Sequence, residues 1–215
     1  MIGERIFNLL FPPKCTLCGK VLEKHETDLC ASCRIDNPEC SGVHKNFSFL
    51  DSWVAVWYYK GYIRDSLLRY KFRHARHYAP VYGRMLAMRI QREYPDGFDM
   101  LTWVPISGLR RFSRGYDQVE LLAEAVGKEL GMEPIPTLKK IRNNRPQSGI
   151  DGQAKRRANV LGVYALREDA DVRGKKVVLL DDILTTGATM GEAARVLLTA
   201  GAKEIHGAAV AAVRK

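Results

Sequence analysis

The sequence predicts an α/β fold, a mostly parallel sheet flanked by helices, behind a small cysteine-rich module. Three observations carry this expectation. From Ser52 onward, short apolar runs alternate with segments whose apolar residues recur at helical spacing. Four of the five cysteines fall in two close pairs within the first 33 residues. The apolar run Val177-Val178-Leu179-Leu180 ends in two carboxylates and a Thr/Gly turn, and open α/β sheets bind ligands just beyond such strand ends.

The amino-terminal module comes first. Cys15-Thr16-Leu17-Cys18 and Cys30-Ala31-Ser32-Cys33 are two C-x-x-C knuckles separated by 11 residues, a spacing that lets four thiolates close a tetrahedron around Zn²⁺. A segment this short cannot bury enough apolar surface alone, so a structural zinc ribbon is expected, with Cys15, Cys18, Cys30 and Cys33 as ligands. Four sulfurs leave no open position for zinc catalysis. His25 is expected to face solvent, and Cys40 to be an ordinary thiol. A polar connector from Asp36 to about Asn46 follows, and the boundary falls near Leu50: residues 1–50 form the zinc module with its apolar amino-terminal segment, and 51–215 the α/β domain.

Expected strands of that domain are Trp53 to Tyr59, Met100 to Ile106, Val160 to Leu166, Lys176 to Asp181 and Ile205 to Val213. Between them, Val119, Leu122, Ala123, Val126 and Leu130 recur at helical spacing, as do Ala193, Val196, Leu197 and Ala200. Gly131 and Gly201 stand where helices commonly stop.

Composition narrows the class. With 46% hydrophobic and 27% charged residues among 215, the chain is ordinary globular material, neither disordered nor fibrous. No apolar stretch approaches the roughly 18 to 20 residues of a membrane helix. Glu4 and Arg5 ahead of a short Ile6 to Phe11 patch, stopped by Pro12 and Pro13, do not make a signal peptide. A cytoplasmic protein, not an integral membrane protein, is expected. The 34 Lys and Arg against 24 Asp and Glu leave a charge of +10, which favours phosphates, nucleotides or nucleic acid as partners.

The chemistry concentrates after Leu180. Asp181 and Asp182 precede Ile183-Leu184 and then Thr185-Thr186-Gly187-Ala188-Thr189 at the start of a helix. Small hydroxylated residues opening a helix make an anion cradle, in which N–H groups, hydroxyls and the helix dipole all favour a phosphate. Two acids beside it must face ribose hydroxyls, which donate hydrogen bonds, or a Mg²⁺ that travels with a diphosphate. No G-x-x-x-x-G-K-[ST] occurs, which disfavours a P-loop hydrolase. Upstream, Val104 to Ser107 leads into Arg110, Arg111 and Arg114, guanidiniums suited to a diphosphate. From Lys139 to Asn159 a long basic stretch, with Lys140, Arg142, Arg145, Lys155, Arg156 and Arg157 and with Gly149 and Gly152, reads as a lid over a leaving pyrophosphate.

Val177 to Thr189 resembles the phosphoribosyl diphosphate (PRPP) motif of type I phosphoribosyltransferases. That resemblance implies that Asp181 and Asp182 hold the ribose hydroxyls and that Thr185, Thr186, Gly187, Ala188 and Thr189 surround the 5-phosphate. The wider layout of Cys₄ ribbon, Arg111-x-x-Arg114-Gly115-Tyr116-x-Gln118, then Arg142, Gln147, Arg156 and Asn159, then the acid pair and its loop, resembles the ComF family. The match runs from Cys15 to the final strand. It implies a type I phosphoribosyltransferase-like domain and an association with DNA uptake and natural transformation. As an enzyme, such a chain would displace pyrophosphate from ribose C1 by a nitrogen nucleophile. Asp181 and Asp182 would favour the oxocarbenium-like transition state, and Mg²⁺ with Arg111, Arg114 and Arg156 would stabilise the diphosphate.

Two readings of another class stand beside this one, since a fold does not dictate chemistry. Lys71, Phe72, Arg73 and Arg76 interleave cations with rings, and Arg110 to Tyr116 repeat the pattern, the combination that grips single-stranded DNA. The apolar Ile2, Ile6, Leu9, Leu10 and Phe11 could instead dock on another protein of a DNA-import machine. The acceptor is unnamed by the sequence; Trp57, Tyr58 and Tyr59 could stack a base, and strand packing explains them equally well.

Overall fold

The structure is a computed structural model and describes residues 12–37, 39–142 and 159–214. Its elements, in chain order, are α1 (Ala31–Asp36), β1 (Ser52–Tyr58), α2 (Gly61–Phe72), a 3₁₀ turn (Arg76–Tyr78), α3 (Ala79–Glu93), β2 (Met100–Trp103), α4 (Gly108–Arg114), α5 (Gln118–Leu130), β3 (Leu138–Lys140), β4 (Tyr164–Leu166), β5 (Lys176–Leu184), α6 (Ala188–Thr199) and β6 (Glu204–Ala212).

Four strands form one parallel sheet in the order β1-β6-β5-β2. Alternate residues of each strand point to opposite faces. On one face Val54, Val56, Leu101, Val178, Leu180 and Val210 pack with Leu67, Tyr70, Tyr82, Leu86, Leu122 and Val126 of α2, α3 and α5. On the other, Ala55, Val177, Leu179 and Ala209 pack with Met190, Ala193 and Leu197 of α6. Both faces being covered, Val177 to Leu180 could remain an unbroken apolar run.

Two expectations need correction. The strand foreseen over Val160 to Leu166 is only β4, and it lies outside the main sheet, paired antiparallel with β3, which had been read as the start of a loop. Gly162, at φ 66°, sits in a turn just before β4, and Val163 N–H returns to the Val160 carbonyl. Lys139 is exposed and Lys140 half-buried, so this pair cannot occupy a sheet covered on both faces. Second, β5 does not stop at the first acid. It continues to Leu184 because Asp181, Ile183 and Leu184 keep register with Ala209, Ala211 and Ala212 of β6.

The polar connector also has a structural task. Residues 39–44 run antiparallel along the outer edge of β1, where Cys40 N–H donates to the Val56 carbonyl (2.8 Å) and Trp53 N–H to the His44 carbonyl (2.8 Å). An open sheet edge is thereby closed. The cysteine module is not held at a distance either: Cys15, Leu17, Leu29, Cys30 and Cys33 join the same apolar cluster as α2 and α3. Arg84 of α3 pairs with Asp28 (2.9 Å), and Arg69 of α2 donates to the carbonyls of Thr16 and Leu17.

Candidate functional site

The acid pair and the Thr/Gly loop lie at the carboxyl end of β5. Asp182 is buried, and both its oxygens are engaged: Oδ1 by the Lys71 ammonium (2.8 Å) and Oδ2 by Gln118 Nε2–H (2.9 Å). Asp181 is half-buried, with Oδ1 accepting from the Asp182 N–H (2.8 Å). Loss of water around its carboxyl, then the adjacent charge of Asp182, push Asp181 up to about 8, while Lys71 pulls the other way.

The chain turns from β5 into α6 through Thr185, Thr186 and Gly187. Gly187 caps α6 at φ 76°, a left-handed conformation that glycine adopts without strain, and Ala188 N–H lies 3.4 Å from Thr186 Oγ1. The loop has a buttress that sequence reasoning missed. A Cβ on Gly187 would meet the Phe47 ring at 2.5 Å, and Phe47 itself stacks on Trp53 of β1 (5.1 Å between centroids). Gly187→Ala is therefore expected to cost about 1–3 kcal/mol in stability and to weaken inorganic phosphate binding by about ten-fold. Thermal unfolding and calorimetric titration check this, and an alanine variant matching the parent in both would show that the loop tolerates a side chain here.

The arginine segment folds as α4, between two polar residues that shape it. Ser107 caps α4, accepting from Arg110 N–H (3.4 Å). Asp117 closes the segment on itself: Oδ2 accepts from Ile106 N–H (3.0 Å), while Oδ1 caps α5 through Val119 N–H (2.8 Å) and Glu120 N–H (3.2 Å). The two arginines singled out by sequence differ in placement. Arg114 bonds Gln118 Oε1 (2.8 Å), one residue removed from Asp182, and lies over the Phe72 ring (4.8 Å). Arg111 turns away to Glu120 on α5 (3.1 Å) and is largely exposed. Arg156 lies outside the described residues, as do Arg145, Gln147, Gly149, Gly152, Lys155 and Arg157.

The residues read as a nucleic-acid contact divide in the same way. Lys71 turns inward to Asp182, whereas Phe72, Arg73 and Arg76 are exposed. Arg76 donates to the Gly115 carbonyl (3.1 Å) and covers the Tyr116 ring (4.5 Å). Two further residues enter from β3 and β4. Lys140 lies over the Tyr164 ring (5.5 Å), and burial, then the nearby Arg110, push its ammonium down to about 8 against the pull of Asp181. Nothing in the spacing marked Gln118 and Tyr164 as neighbours of the acids, because they come from elements distant in the chain.

In the amino-terminal module the four sulfurs of Cys15, Cys18, Cys30 and Cys33 lie within 4.8 Å of one another, with Cys18 and Cys30 at 3.7 Å. A tetrahedron with Zn–S bonds of about 2.3 Å has sulfur–sulfur edges of about 3.8 Å, so the cluster fits Zn²⁺. The knuckle is shaped by Cys15 N–H donating to Lys20 O (2.7 Å) and Gly19 N–H to Cys15 O (2.8 Å).

Residues 103–215, from the end of β2 through the arginine segment, the acid pair and the Thr/Gly turn to the chain's end, match the family model for the phosphoribosyl transferase domain. The chain belongs to that family. The chain is similar to Competence protein ComFC of Bacillus subtilis (strain 168), 28% identical over 87% of this chain and 72% of that protein. Competence protein F of Haemophilus influenzae is 24% identical over 90% of this chain and 82% of that protein. DNA utilization protein YhgH of Salmonella typhi is 30% identical over a shorter stretch, 50% of this chain and 47% of that protein. Among solved structures, the glutamine PRPP amidotransferase from B. subtilis complexed with ADP and GMP is 24% identical with a TM-score of 0.43, covering 66% of this chain and 30% of that chain. The sequence resemblance to the ComF family, including its phosphoribosyltransferase-like fold and amino-terminal cysteine cluster, is thus met along most of the chain. Among the described residues, no helix is long and apolar enough to cross a membrane.

Proposed function

We propose that the protein binds PRPP, with Mg²⁺, at the carboxyl end of β5 and serves DNA uptake and natural transformation from the cytoplasm. The observation that carries this reading is the convergence of Asp181, Asp182 and the Thr185 to Thr189 loop at one strand end, inside the residues that match the phosphoribosyl transferase domain. The 5-phosphate belongs at the amino end of α6, where backbone N–H groups and the helix dipole point outward. The ribose belongs at the acids, and the diphosphate toward Arg114, with Arg111 and Arg156 the further candidates. Asp181 and the diphosphate oxygens are hard ligands of the kind Mg²⁺ takes. The Cys₄ cluster serves as a structural zinc site. The names of the competence and DNA-utilization relatives support the biological setting.

Turnover, if the chain performs it, is transfer of the phosphoribosyl group to a nitrogen acceptor with release of pyrophosphate. The direct test of the site is calorimetric titration with PRPP and Mg²⁺ beside ribose 5-phosphate. Micromolar binding that is tighter for PRPP is expected; no heat with millimolar PRPP would sink the reading.

A second reading is favoured by one surface. Phe112 is 90% exposed and Phe72 60% exposed, with Arg73 and Arg76 in the same stretch as Phe72 and Arg114 against its ring. Such rings among cations suit the stacked bases and backbone of single-stranded DNA. Phe112→Ala combined with Arg73→Glu is expected to weaken binding of a labelled oligothymidylate about ten-fold or more and to flatten its salt dependence. Equal affinity at every salt concentration would assign these side chains elsewhere. Docking to DNA-import proteins through Ile2, Ile6, Leu9, Leu10 and Phe11 concerns residues outside those described.

A further inference from the structure

We propose that Lys71 belongs to the phosphoribosyl site, as the fixed ammonium that orients Asp182 and supplies hydrogen-bond donors to the ribose diol. The proposal rests on the PRPP reading and deepens it.

A lysine with no task near a protein surface keeps its ammonium in water. Lys71 does not: its side chain is 20% exposed, and the ammonium sits 2.8 Å from Asp182 Oδ1, whose side chain is 4% exposed. With Gln118 Nε2 on the other oxygen, Asp182 is held from both sides, and Gln118 is itself held by Arg114. The ring is closed by Phe72, next to Lys71 in α2, lying under the Arg114 guanidinium. Two carboxylates, a diphosphate-facing arginine and the end of α2 therefore form one connected unit.

The chemistry of the proposed ligand explains why a cation is needed there. Each ribose hydroxyl both donates and accepts a hydrogen bond. Carboxylates offer acceptors only, so an acid pair by itself leaves the hydroxyl oxygens unserved and repels the phosphates on either side. An ammonium carries three N–H donors, of which Asp182 takes one. Lys71 thus brings the missing donors and a compensating charge to the same place. Asp181, half-buried and bonded to its neighbour through the Asp182 N–H, is the carboxyl presented to ligand, while Asp182, held by Lys71 and Gln118, is the positioned member of the pair. Lys71 lies ahead of residues 103–215, so this part of the site is contributed by the amino-terminal half of the chain. It stands on the helix whose Arg69 holds the carbonyls of the first cysteine knuckle.

The test uses the full zinc-loaded chain and three probes in calorimetric titration: ribose 5-phosphate, 2-deoxyribose 5-phosphate and inorganic phosphate. The parent is expected to prefer ribose 5-phosphate over its deoxy analogue by about ten-fold or more, because a site built around a hydroxyl rejects a ligand lacking it. In Lys71→Gln that preference falls to about two-fold and inorganic phosphate weakens less than ribose 5-phosphate does, and Lys71→Arg retains part of the preference. Lys71→Met, which keeps the aliphatic stem, replaces the Gln variant if the latter does not fold. An unchanged preference in Lys71→Gln overturns the proposal, and so does a loss of all three affinities together, which marks a structural role. A parent that binds neither the sugar phosphates nor PRPP with Mg²⁺ removes the PRPP reading and this inference with it, whereas a binding parent matched by its Lys71 variants removes the inference alone.

Discussion

Asp181→Asn with Asp182→Asn is expected to abolish PRPP binding at ligand concentrations that saturate the parent. Each carboxylate would accept charge-assisted hydrogen bonds from a ribose hydroxyl, the Lys71 ammonium or a Mg²⁺-held water, worth about 1.5–3 kcal/mol apiece. Losing two such groups amounts to about 3–6 kcal/mol, or about 10²- to 10⁴-fold in affinity. The single variants should separate. Asp181→Asn removes the carboxyl that the protein itself uses least, so binding falls and thermal stability changes little. Asp182→Asn leaves the Lys71 ammonium facing a neutral amide in a site where its partner was 4% exposed, so stability falls as well. Titration calorimetry read beside thermal unfolding distinguishes them. Two variants that still bind PRPP as the parent does would move the site away from β5.

Removing zinc is expected to give the largest loss of stability. The module spanning Cys15 to Cys33 has little apolar surface of its own beyond Leu17 and Leu29, and its four thiols within 4.8 Å are the donor set that the proposed Zn²⁺ would tie together. Its loss strips a cover from α2 and α3, to which it is tied by Arg69, Arg84 and the shared apolar cluster. A penalty of about 3–5 kcal/mol corresponds to a melting temperature lower by about 6–20 °C in a chain of this size. Treatment with a strong chelator, or Cys30→Ser, followed by thermal unfolding and zinc quantification, checks this. A chain that releases zinc and melts unchanged would show that the sulfurs pack without metal.

Local pattern made the strand, acid pair and Thr/Gly turn of the proposed phosphate site legible. Val177 to Leu180, the acids and Thr185 to Thr189 are contiguous, and their meaning depends on a strand, a turn and a helix that follow one another directly. The C-x-x-C knuckles are legible for the same reason, since metal spacing is written in adjacent residues. What escaped was pairing across distance. Lys71 and Phe72 read alike in a basic, aromatic stretch, yet α2 ends so that one side chain turns to Asp182 and the other to solvent beneath Arg114. Arg111 and Arg114 are three residues apart in one motif, but only Arg114 is linked through Gln118 to the acids, while Glu120 draws Arg111 outward.

By itself, then, the sequence determined the alternation of elements, the strand that carries the acids, the Thr/Gly turn and the cysteine knuckles, because each is set by periodicity, backbone conformation or ligand spacing within a few residues. Tertiary structure alone decided that residues 39–44 close the edge of β1, that Phe47 backs Gly187, that β4 pairs with β3 outside the main sheet, and that Lys71 stands at Asp182. Those outcomes follow from which apolar faces and which charges must be covered once the sheet is formed, and such demands are met by whatever part of the chain packing brings near.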